Sequence, residues 1–375
     1  MTRILYLTPG CFDKGGISRY SRYQIAALRE LVGVDNLRAA SLLGPDANGF
    51  EEPFEVSWFG PNGDATLASR VGFARFALTQ VLLWRPQIIF CAHVNFTPMV
   101  RWLASLCGAK TVLNVYGLEL WSGLSQKRLR AMLAMDHVIS DCHATADHVG
   151  DNAMHPDRPT VIWDCVDLEK FSPGTTPPAV LERYGIPDRA GAPVILTLGR
   201  LAKAAAHKGY DRLIKNFATL LKTMPEARLV IAGRGDMRAE LEALAQREKC
   251  DQAVIFTGSV DEQDMADIYR CATIFSLVSD KGDGRGEGIP LTPLEAMACG
   301  IPIIVGDEDG SREAVVERRN GMVISPRDPS AHVAAMETLI DQADAKRADA
   351  RRVAQEHFSY EGFVEKHRAF LDRVR

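Results

Sequence analysis

Short runs rich in β-branched residues alternate with longer amphipathic segments along the whole chain. The predicted strands are residues 3–8, 87–91, 110–115, 137–140 and 160–163 in the first half, and 194–198, 228–232, 253–256, 273–277 and 303–305 in the second half. Strands that alternate with helices form parallel sheets buried on both faces. The pattern therefore predicts an α/β protein built from two Rossmann-like, doubly wound domains. Because such sheets bind ligands at the carboxyl ends of their strands, we expect the two domains to face each other across a ligand-binding cleft.

The segments between these strands carry helical periodicity. They include residues 18–31, 67–84, 98–106 and 125–133 in the first half, and 209–223, 236–247, 262–270 and 292–299 in the second half. The chain of 375 residues is long enough for about two domains. A segment with three prolines and one glycine, residues 172–178, can continue neither a helix nor a central strand, and is a predicted linker. We therefore predict domains over residues 1–175 and 176–357, followed by a separate C-terminal helix over 358–375.

Composition excludes several functional classes. The 44 basic and 48 acidic side chains give a net charge of −4, which argues against a nucleic-acid-binding protein. The eight cysteines contain no CxxC pair and are expected to be free thiols in a reducing compartment. Neither a signal peptide nor a membrane-spanning segment is recognisable, so we expect a cytoplasmic protein.

Two familiar nucleotide-binding signatures are missing. No GxGxxG follows the first predicted strand, and Gly233-Arg234-Gly235 continues to Arg238 where that fingerprint has its third glycine. A Walker A loop is also absent from the sequence. The absence of these two motifs argues against a dehydrogenase and against a kinase.

The most informative segment, residues 286–300, contains two carboxylates. Glu287 lies among four glycines at positions 282, 284, 286 and 288, and Glu295 lies in a short predicted helix. A capping box is one interpretation of Glu295, with Thr292 as the cap and Pro293 at the first helical position. That interpretation leaves Glu287 unexplained, whereas a glycine-rich loop permits close approach of the backbone to a ligand.

The spacing of Glu287 and Glu295, followed by Ala-Met-Ala-Cys-Gly-Ile-Pro, resembles the signature of the retaining glycosyltransferases of family 4, which have the GT-B fold. Further segments resemble family landmarks in the expected order: Gly15-Gly16-Ile17, residues 166–171, Leu198-Gly199-Arg200-Leu201, His207-Lys208-Gly209-Tyr210, Ala232-Gly233-Arg234-Gly235, Phe256-Thr257-Gly258 and Phe358-Ser359-Tyr360. The last of these resembles the family's crossover, so the resemblance implies that the C-terminal helix returns to the N-terminal domain.

The resemblance implies a role for each matching residue. Arg200 and Lys208 would hold the donor diphosphate, Glu295 the ribose hydroxyls, and Glu287 the transferred sugar. Arg200, Lys208 and Glu287 would be the catalytic set. The other implied donor-binding positions are Gly16, Gly233, Gly288, Ile289 and Gly310. The C-terminal domain would bind the donor, and the N-terminal domain the acceptor.

The function implied is a retaining, metal-independent transfer of a sugar from a UDP- or GDP-sugar to a saccharide or glycolipid acceptor, in polysaccharide or glycolipid biosynthesis. No cofactor is implied beyond the nucleotide-sugar substrate. A sugar-nucleotide epimerase of similar fold is the alternative, and a non-catalytic nucleotide-sugar-binding protein is a further rival.

Some residues keep two interpretations. Tyr116 stands where many relatives have histidine, and either donates a hydrogen bond to the sugar or merely packs. His93, at the end of a predicted strand, either serves the acceptor or is structural. Asp307-Glu308-Asp309 imitates the metal motif of another glycosyltransferase fold, and no metal site is expected there. The basic residues of the helix over 125–133, Lys127, Arg128 and Arg130, either make a peripheral contact with anionic lipid or form a solvated face.

Overall fold

A computed structural model describes residues 2–13, 15–45, 55–61, 63, 65–187, 191–284 and 286–374. The chain folds as two compact units. Unit 1 comprises Met1–Cys165 and Tyr360–Arg375, and unit 2 comprises Val166–Ser359. Each unit is built on one parallel sheet, as the alternation of strands and helices predicts.

The sheet of unit 1 has seven strands in the order β3-β2-β1-β4-β5-β6-β7. Every pairing is parallel; for example, Ile4 of β1 lies beside Leu37 of β2 and Ile88 of β4. The strands are β1 (Ile4–Thr8), β2 (Leu37–Ser41), β3 (Ser57–Trp58), β4 (Ile88–Cys91), β5 (Lys110–Val115), β6 (His137–Ser140) and β7 (Thr160–Val161).

Two helical layers cover this sheet. The helices are α1 (Gly16–Val32), α2 (Leu67–Thr79), a π-helical segment (Gln80–Trp84), α3 (Thr97–Cys107), α4 (Leu118–Trp121), α5 (Gln126–Leu133), α6 (His143–Asp151) and, from the chain's end, α14 (Tyr360–Val374); short 3₁₀ turns are Val34–Asn36 and Val94–Phe96. Successive residues of β1 point to opposite faces. Ile4 and Tyr6 pack with α1 and α14, whereas Leu5 and Leu7 pack with α2, α3 and α5.

A buried polar network ties α14 to unit 1, although 194 residues of unit 2 intervene in the sequence. The Gln24 side chain accepts a hydrogen bond from the Tyr6 hydroxyl (2.8 Å) and lies 2.9 Å from His367 Nε2 of α14. Asn114 of β5 donates to the same glutamine (2.5 Å). Because buried polar groups need partners, this network fixes one position for the helix.

The sheet of unit 2 has six parallel strands in the order β10-β9-β8-β11-β12-β13. The strands are β8 (Val194–Leu198), β9 (Arg228–Ala232), β10 (Val254–Gly258), β11 (Ile274–Leu277), β12 (Ile303–Gly306) and β13 (Gly321–Ile324). The first strand of the unit, β8, lies between β9 and β11. The direction of strand addition therefore reverses at β8, which makes the β8/β11 junction the topological switch point.

The helices of unit 2 are α7 (Pro178–Arg183), α8 (Tyr210–Leu220), α9 (Arg238–Arg247), α10 (Met265–Arg270), α11 (Leu291–Ala298), α12 (Pro329–Asp341) and α13 (Ala343–His357), with 3₁₀ turns at Lys203–Lys208, Asp251–Ala253, Glu262–Asp264, Gly282–Gly284 and Gly310–Ala314. Helices α8, α9 and α12 share one hydrophobic core with the sheet. Helix α11 packs against β11, β12, α10 and α13.

The two units divide at residues 165/166 and 359/360, whereas the sequence placed the boundaries at 175/176 and 357/358. Hydrogen bonds explain the first difference. Arg351 of α13 donates to the carbonyls of Leu168 (3.0 Å) and Phe171 (2.7 Å), and Arg270 donates to that of Ser172 (2.8 Å). These hydrogen bonds hold residues 166–172 on unit 2, so the boundary between the units lies before the proline-rich segment.

Some elements differ from their sequence prediction. Strands β2, β3 and β13 were not predicted, because Leu-Arg-Ala-Ala-Ser has no β-branched residue, β3 has two residues, and β13 begins with glycine. The helix predicted over 67–84 is α-helical only to Thr79, and then forms the π-helical segment. Arg85, in the left-handed region at φ 52°, ends it before Pro86.

Candidate functional site

The switch point of unit 2 collects charged side chains from two loops. One loop follows β8 and carries Arg200, His207 and Lys208; the other follows β11 and carries Glu287. Because β8 and β11 are neighbours and parallel, their carboxyl ends meet at the same edge of the sheet. Residues about 80 positions apart in the sequence are brought together in this way.

Lys208 and His207 converge on one oxygen of Glu287. Lys208 Nζ lies 2.7 Å from Glu287 Oε1, and His207 Nε2 lies 2.7 Å from the same atom. Burial alone would raise the pKa of the Glu287 carboxyl, but Lys208 and then His207 together lower that pKa from 4.5 to about 2. Glu287 is therefore a carboxylate at neutral pH, held in a partly buried ion pair.

A tight turn positions Lys208. Gly209 ends the 3₁₀ turn at φ 75°, in the left-handed region, and a Cβ there would lie 2.7 Å from the Val278 carbonyl oxygen. Glycine is therefore required for both the conformation and the close approach. Arg212 of α8 bridges to the second loop, since it pairs with Asp280 (2.5 Å) and donates to the Val278 carbonyl (3.0 Å). The two loops are thus fixed to each other.

Asp309, after β12, holds the backbone of Glu287. Its Oδ2 accepts from the Glu287 amide (2.8 Å) and from the Ser279 hydroxyl (2.7 Å), and its Oδ1 accepts from the Ser311 amide (3.0 Å). Burial raises the pKa of the Asp309 carboxyl, partly offset by these donors. Gly310 adds a bond from its amide to the Glu287 carbonyl (3.1 Å). This part of the acidic triplet therefore positions the Glu287 loop.

The middle residue of the acidic triplet 307–309, Glu308, also has protein partners. Glu308 pairs with Arg327 (2.6 Å) and accepts from the Lys281 amide (3.0 Å). Within the described ranges, no group of three or more His, Cys, Asp or Glu side chains is arranged to hold a metal ion.

Two glycine-containing loops pack backbone to backbone beside Arg200. A Cβ at Gly233, where φ is 136°, would lie 1.9 Å from the Gly199 carbonyl oxygen, and a Cβ at Gly235 would lie 2.1 Å from that of Leu201. Only glycine fits at either position. The Leu201 amide donates to the Arg234 carbonyl (3.0 Å), which locks the pair of loops. Arg200 itself is exposed at the sheet edge.

Glu295 is buried, with 3% of its surface exposed, and accepts a hydrogen bond from the Tyr269 hydroxyl at 2.6 Å. The capping-box interpretation of this residue is wrong. Helix α11 begins at Leu291, one residue before Thr292, and its N-cap is Pro290, which has no side-chain hydrogen bond to the helix. Thr292 and Pro293 thus lie inside the first turn, where proline is tolerated. Gly300, which follows the C-cap Cys299, has a φ of 80°, in the left-handed region typical of a helix end.

Close to the contacts of Lys208 and His207 with Glu287, two buried polar atoms have no hydrogen-bond partner among the described residues. They are the Tyr210 hydroxyl and Nδ1 of His207. Burial and the charge of Glu287 raise the pKa of the Tyr210 hydroxyl, so it keeps its proton. A Cβ at Gly199 would lie 2.5 Å from this hydroxyl. Gly288 and Ile289, next to Glu287, are also buried.

Unit 1 places its candidate residues at the same kind of edge. His93 follows β4 and Tyr116 follows β5, while Gly16 begins α1, is exposed, and has open space where a Cβ would be. His93 Nδ1 accepts from the Asn95 amide (3.1 Å), and burial lowers the pKa of His93 to about 4. The Tyr116 hydroxyl is buried and lacks a partner among the described residues.

Sequence reasoning did not assign roles to His207, Tyr269 or Asp309. His207 stands in a quoted landmark, directly before Lys208, so its position was visible although its contact with Glu287 was not. No local sequence pattern identifies Tyr269 or Asp309. Tyr269 contacts Glu295, and Asp309 contacts the Glu287 amide, from elements distant in the sequence, so both contacts depend on the tertiary fold.

Comparison with known proteins gives a family match within unit 2. Residues 184–357 match the family described as Glycosyl transferases group 1. This match includes Arg200, Lys208, Glu287 and Glu295. The resemblance to the family 4 glycosyltransferases is confirmed.

Two curated proteins that resemble this chain are named as glycosyltransferases. The GDP-mannose-dependent alpha-(1-6)-phosphatidylinositol monomannoside mannosyltransferase of Mycolicibacterium smegmatis is 31% identical over 201 residues, which are 53% of this chain and 50% of the relative. The D-inositol 3-phosphate glycosyltransferase of Xylanimonas cellulosilytica is 32% identical over 217 residues, 55% of this chain and 49% of the relative. The chain thus matches about half the length of these curated relatives.

Solved structures show the same fold. Anabaena HepE in complex with UDP-glucose has a TM-score of 0.78 at 18% identity, with 100% of both chains covered. Sucrose-phosphate synthase from Thermosynechococcus elongatus has a TM-score of 0.78 at 18% identity, with 99% of both chains covered. The predicted GT-B class with two Rossmann-like domains is confirmed.

Proposed function

We propose that this chain transfers a sugar from a nucleotide-sugar donor to an acceptor hydroxyl, with retention of anomeric configuration and without a metal ion. The observation that carries the proposal is the convergence of Lys208 and His207 on Glu287 at the switch point of unit 2. This convergence lies inside the segment that matches the glycosyltransferase family.

Lys208 and Arg200 are the proposed partners of the donor diphosphate. Cleavage of the sugar–phosphate bond moves negative charge onto phosphate oxygens, and a fixed positive group stabilises that charge most when water is excluded. Lys208 is only 15% exposed and supplies a compact charge, while exposed Arg200 supplies a planar fork of donors. The nearby Gly233 and Gly310 are proposed to keep the backbone close to the donor.

Glu287 is proposed to accept hydrogen bonds from the hydroxyls of the transferred sugar. Lys208 and His207 occupy only one of its two carboxylate oxygens through the contacts described, and a carboxylate accepts several hydrogen bonds. Buried Glu295, oriented by Tyr269, is proposed to bind the ribose hydroxyls. The Tyr210 hydroxyl is a further donor for the ligand, because no described residue satisfies it.

Retention fits a scheme in which the acceptor hydroxyl attacks from the side on which the diphosphate leaves. The protein then supplies no nucleophile, and its task is to orient the reactants and stabilise the leaving group. Metal independence is supported by the engagement of Asp309 and Glu308 with protein donors. The relatives compared above carry the names of transferases and a synthase, which favours transfer over the epimerase alternative.

The acceptor is proposed to be a saccharide or a glycolipid, bound by unit 1 with His93 and Tyr116 as candidate contacts. A UDP- or GDP-sugar is the proposed donor. Two of the relatives are named for phosphatidylinositol mannoside and inositol phosphate substrates, which supports a polyol or sugar hydroxyl as the attacking group. A peripheral contact with the membrane belongs to the same proposal. The role of Gly16 toward the donor phosphates stays a prediction.

A donor panel tests the proposal. The protein is incubated with UDP-, GDP- and ADP-sugars in EDTA, and thermal unfolding is followed for each. A donor at a hundredfold excess over its dissociation constant stabilises the protein by about 2.7 kcal/mol. The stabilising donor is then supplied with candidate acceptors, and the product anomer is determined by NMR. Transfer with retention in EDTA is expected; an epimerised free nucleotide sugar, or activity restored only by Mn²⁺, contradicts the proposal.

A further inference from the structure

Exposed apolar side chains concentrate on one helical layer of unit 1. Eleven large apolar residues are well exposed among those the structure describes, and seven of them lie on α2, the π-helical segment, α3 and α5: Leu67, Val71, Leu82, Leu83, Trp102, Leu106 and Leu133. Leu83 is 82% exposed and Trp102 is 53% exposed. Scattered apolar residues need no explanation, but a cluster on one face marks an interaction surface.

These helices lie side by side, so their outward sides form one surface. Helix α3 packs against the π-helical segment on one side and against α5 on the other. On α3, Val100, Leu103 and Ala104 point into the core, whereas Trp102 and Leu106, four residues apart, point outward. We call the outward sides of α2, the π-helical segment, α3 and α5 the apolar–basic face.

The charge of this region differs from that of the whole protein. Residues 65–135 contain eight basic side chains and one acidic side chain, in a chain whose net charge is −4. Six of the basic residues lie on α2, α3 and α5: Arg70, Arg75, Arg101, Lys127, Arg128 and Arg130. Arg85 directly follows the π-helical segment, and Lys110 begins β5. Arg101 lies 3.8 Å from Asp136. The acidic residue, Glu119, is engaged by the Tyr116 amide (2.7 Å).

The opposite helical layer of the same sheet lacks the exposed apolar residues and has more balanced charges. Helices α1 and α14 contribute none of the eleven exposed apolar residues of the described chain. Helix α14 carries three acidic residues, Glu361, Glu365 and Asp372, and three basic ones, Lys366, Arg368 and Arg373. Helix α1 carries three basic residues, Arg19, Arg22 and Arg29, and one acidic residue, Glu30. The combination of exposed apolar and basic residues is therefore specific to the apolar–basic face.

We propose that the apolar–basic face docks on the surface of an anionic lipid bilayer. Basic side chains are attracted to anionic headgroups, and leucine and tryptophan side chains insert at the boundary between headgroups and acyl chains. Helices lying side by side present these groups in one layer, as an interfacial contact requires. This inference gives a surface to the peripheral contact proposed above, and it rests on that part of the proposed function only.

The test is co-sedimentation of the full chain with vesicles of phosphatidylcholine alone or mixed with phosphatidylglycerol. We expect binding to the anionic vesicles that weakens as salt is added. Binding should fall at least tenfold in Leu83→Ser/Trp102→Ser, and likewise in Arg85→Glu/Arg128→Glu. The control variants are Val34→Ser/Val323→Ser, which remove exposed apolar residues elsewhere, and Arg368→Glu on α14; both should bind like the wild type.

Other outcomes overturn the inference. It fails if the wild type does not bind anionic vesicles, or if the face variants and the control variants bind equally. It also fails if Leu83→Ser/Trp102→Ser converts a dimer to a monomer in sedimentation velocity without affecting vesicle binding, because the face is then an interface between copies. Stabilisation by the nucleotide sugar is measured on every variant. Retained stabilisation shows a folded protein and separates failure of membrane docking from failure of the proposed glycosyl transfer.

Discussion

The carboxyl edges of the two sheets have the same topology and opposite chemistry. In each unit the chain reverses its direction of strand addition at the first strand, so a switch point lies between β1 and β4 in unit 1 and between β8 and β11 in unit 2. At the edge of unit 2, Lys208 and Glu287 form an ion pair. At the edge of unit 1 the candidates are His93, whose pKa is lowered to about 4, and the phenol of Tyr116, so both are neutral at pH 7.

This difference teaches that strand order selects the position of a site, whereas loop residues select its ligand. A fixed cation beside a carboxylate suits a charged diphosphate and a sugar. Neutral hydrogen-bonding groups suit the hydroxyls of the acceptor. Variants at the two edges should therefore change different kinetic constants.

The largest effect is expected for Lys208→Ala. If Lys208 stabilises the leaving diphosphate, its loss lowers kcat by ~10²–10³, as for the removal of one such donor from other active sites. Steady-state kinetics measure this change. Lys203→Ala is the matched control, because Lys203 begins the same 3₁₀ turn but pairs with Glu240 at the surface. Equal effects of the two substitutions would remove Lys208 from the site.

Glu287→Gln keeps the shape of the side chain and removes its charge. Hydrogen bonds to a charged group contribute about 1.5–3 kcal/mol, so we expect kcat to fall roughly 10- to 150-fold. Donor affinity should change less, because the diphosphate contacts remain. Turnover at the wild-type rate would show that the Glu287 carboxylate does not touch the reacting sugar.

At the edge of unit 1, Tyr116→Phe removes only the hydroxyl. A neutral hydrogen bond contributes about 0.5–1.5 kcal/mol, so the acceptor KM should rise roughly 2- to 12-fold. The donor KM should not change. Kinetics with each substrate varied in turn separate the two constants; a raised donor KM would contradict the division of roles between the units.

The smallest effect is on the pH dependence of stability. The pKa of Glu287 falls from 4.5 to about 2, so its ion pair stabilises the folded state above pH 4.5 and loses this effect as the pH falls toward 2. The pKa of His93 falls from 6.5 to about 4, so stability declines as the pH falls through that range. Glu287→Gln should reduce the pH dependence of Tm only between about pH 2 and 4.5, and His93→Gln only between about pH 4 and 6.5. If both variants changed the same part of the pH range, the assignment of the two effects to these residues would be contradicted.

The sequence predicted most of the sheet architecture. Residues 110–115, 137–140, 194–198 and 228–232 coincide with β5, β6, β8 and β9, because short runs rich in Val, Ile, Leu and Thr are typical of strands in buried parallel sheets. Strand β2 escaped prediction because its pattern, Leu-Arg-Ala-Ala-Ser, fits a helix as well. Its place beside β1 depends on tertiary packing, which no local pattern encodes.

The resemblance selected the candidate site residues one by one, but it did not predict how they are arranged. Lys208 and Glu287 were both selected by resemblance, yet their contact follows from β8 and β11 being neighbours, which requires the strand order. The capping box at Thr292 failed because α11 begins one residue earlier, and Glu295 turns into the core toward Tyr269. Local spacing alone does not distinguish a cap from a buried carboxylate.

The central claim is that Lys208 of unit 2 binds the donor diphosphate without a metal ion. Isothermal titration of UDP and GDP into the protein in EDTA tests it directly, with the wild type, Lys208→Ala and Lys203→Ala compared. We predict that one of the two nucleotides binds the wild type and Lys203→Ala equally well, and binds Lys208→Ala at least about tenfold more weakly. Equal binding by all three proteins, or binding that appears only when a divalent cation is added, would contradict the account.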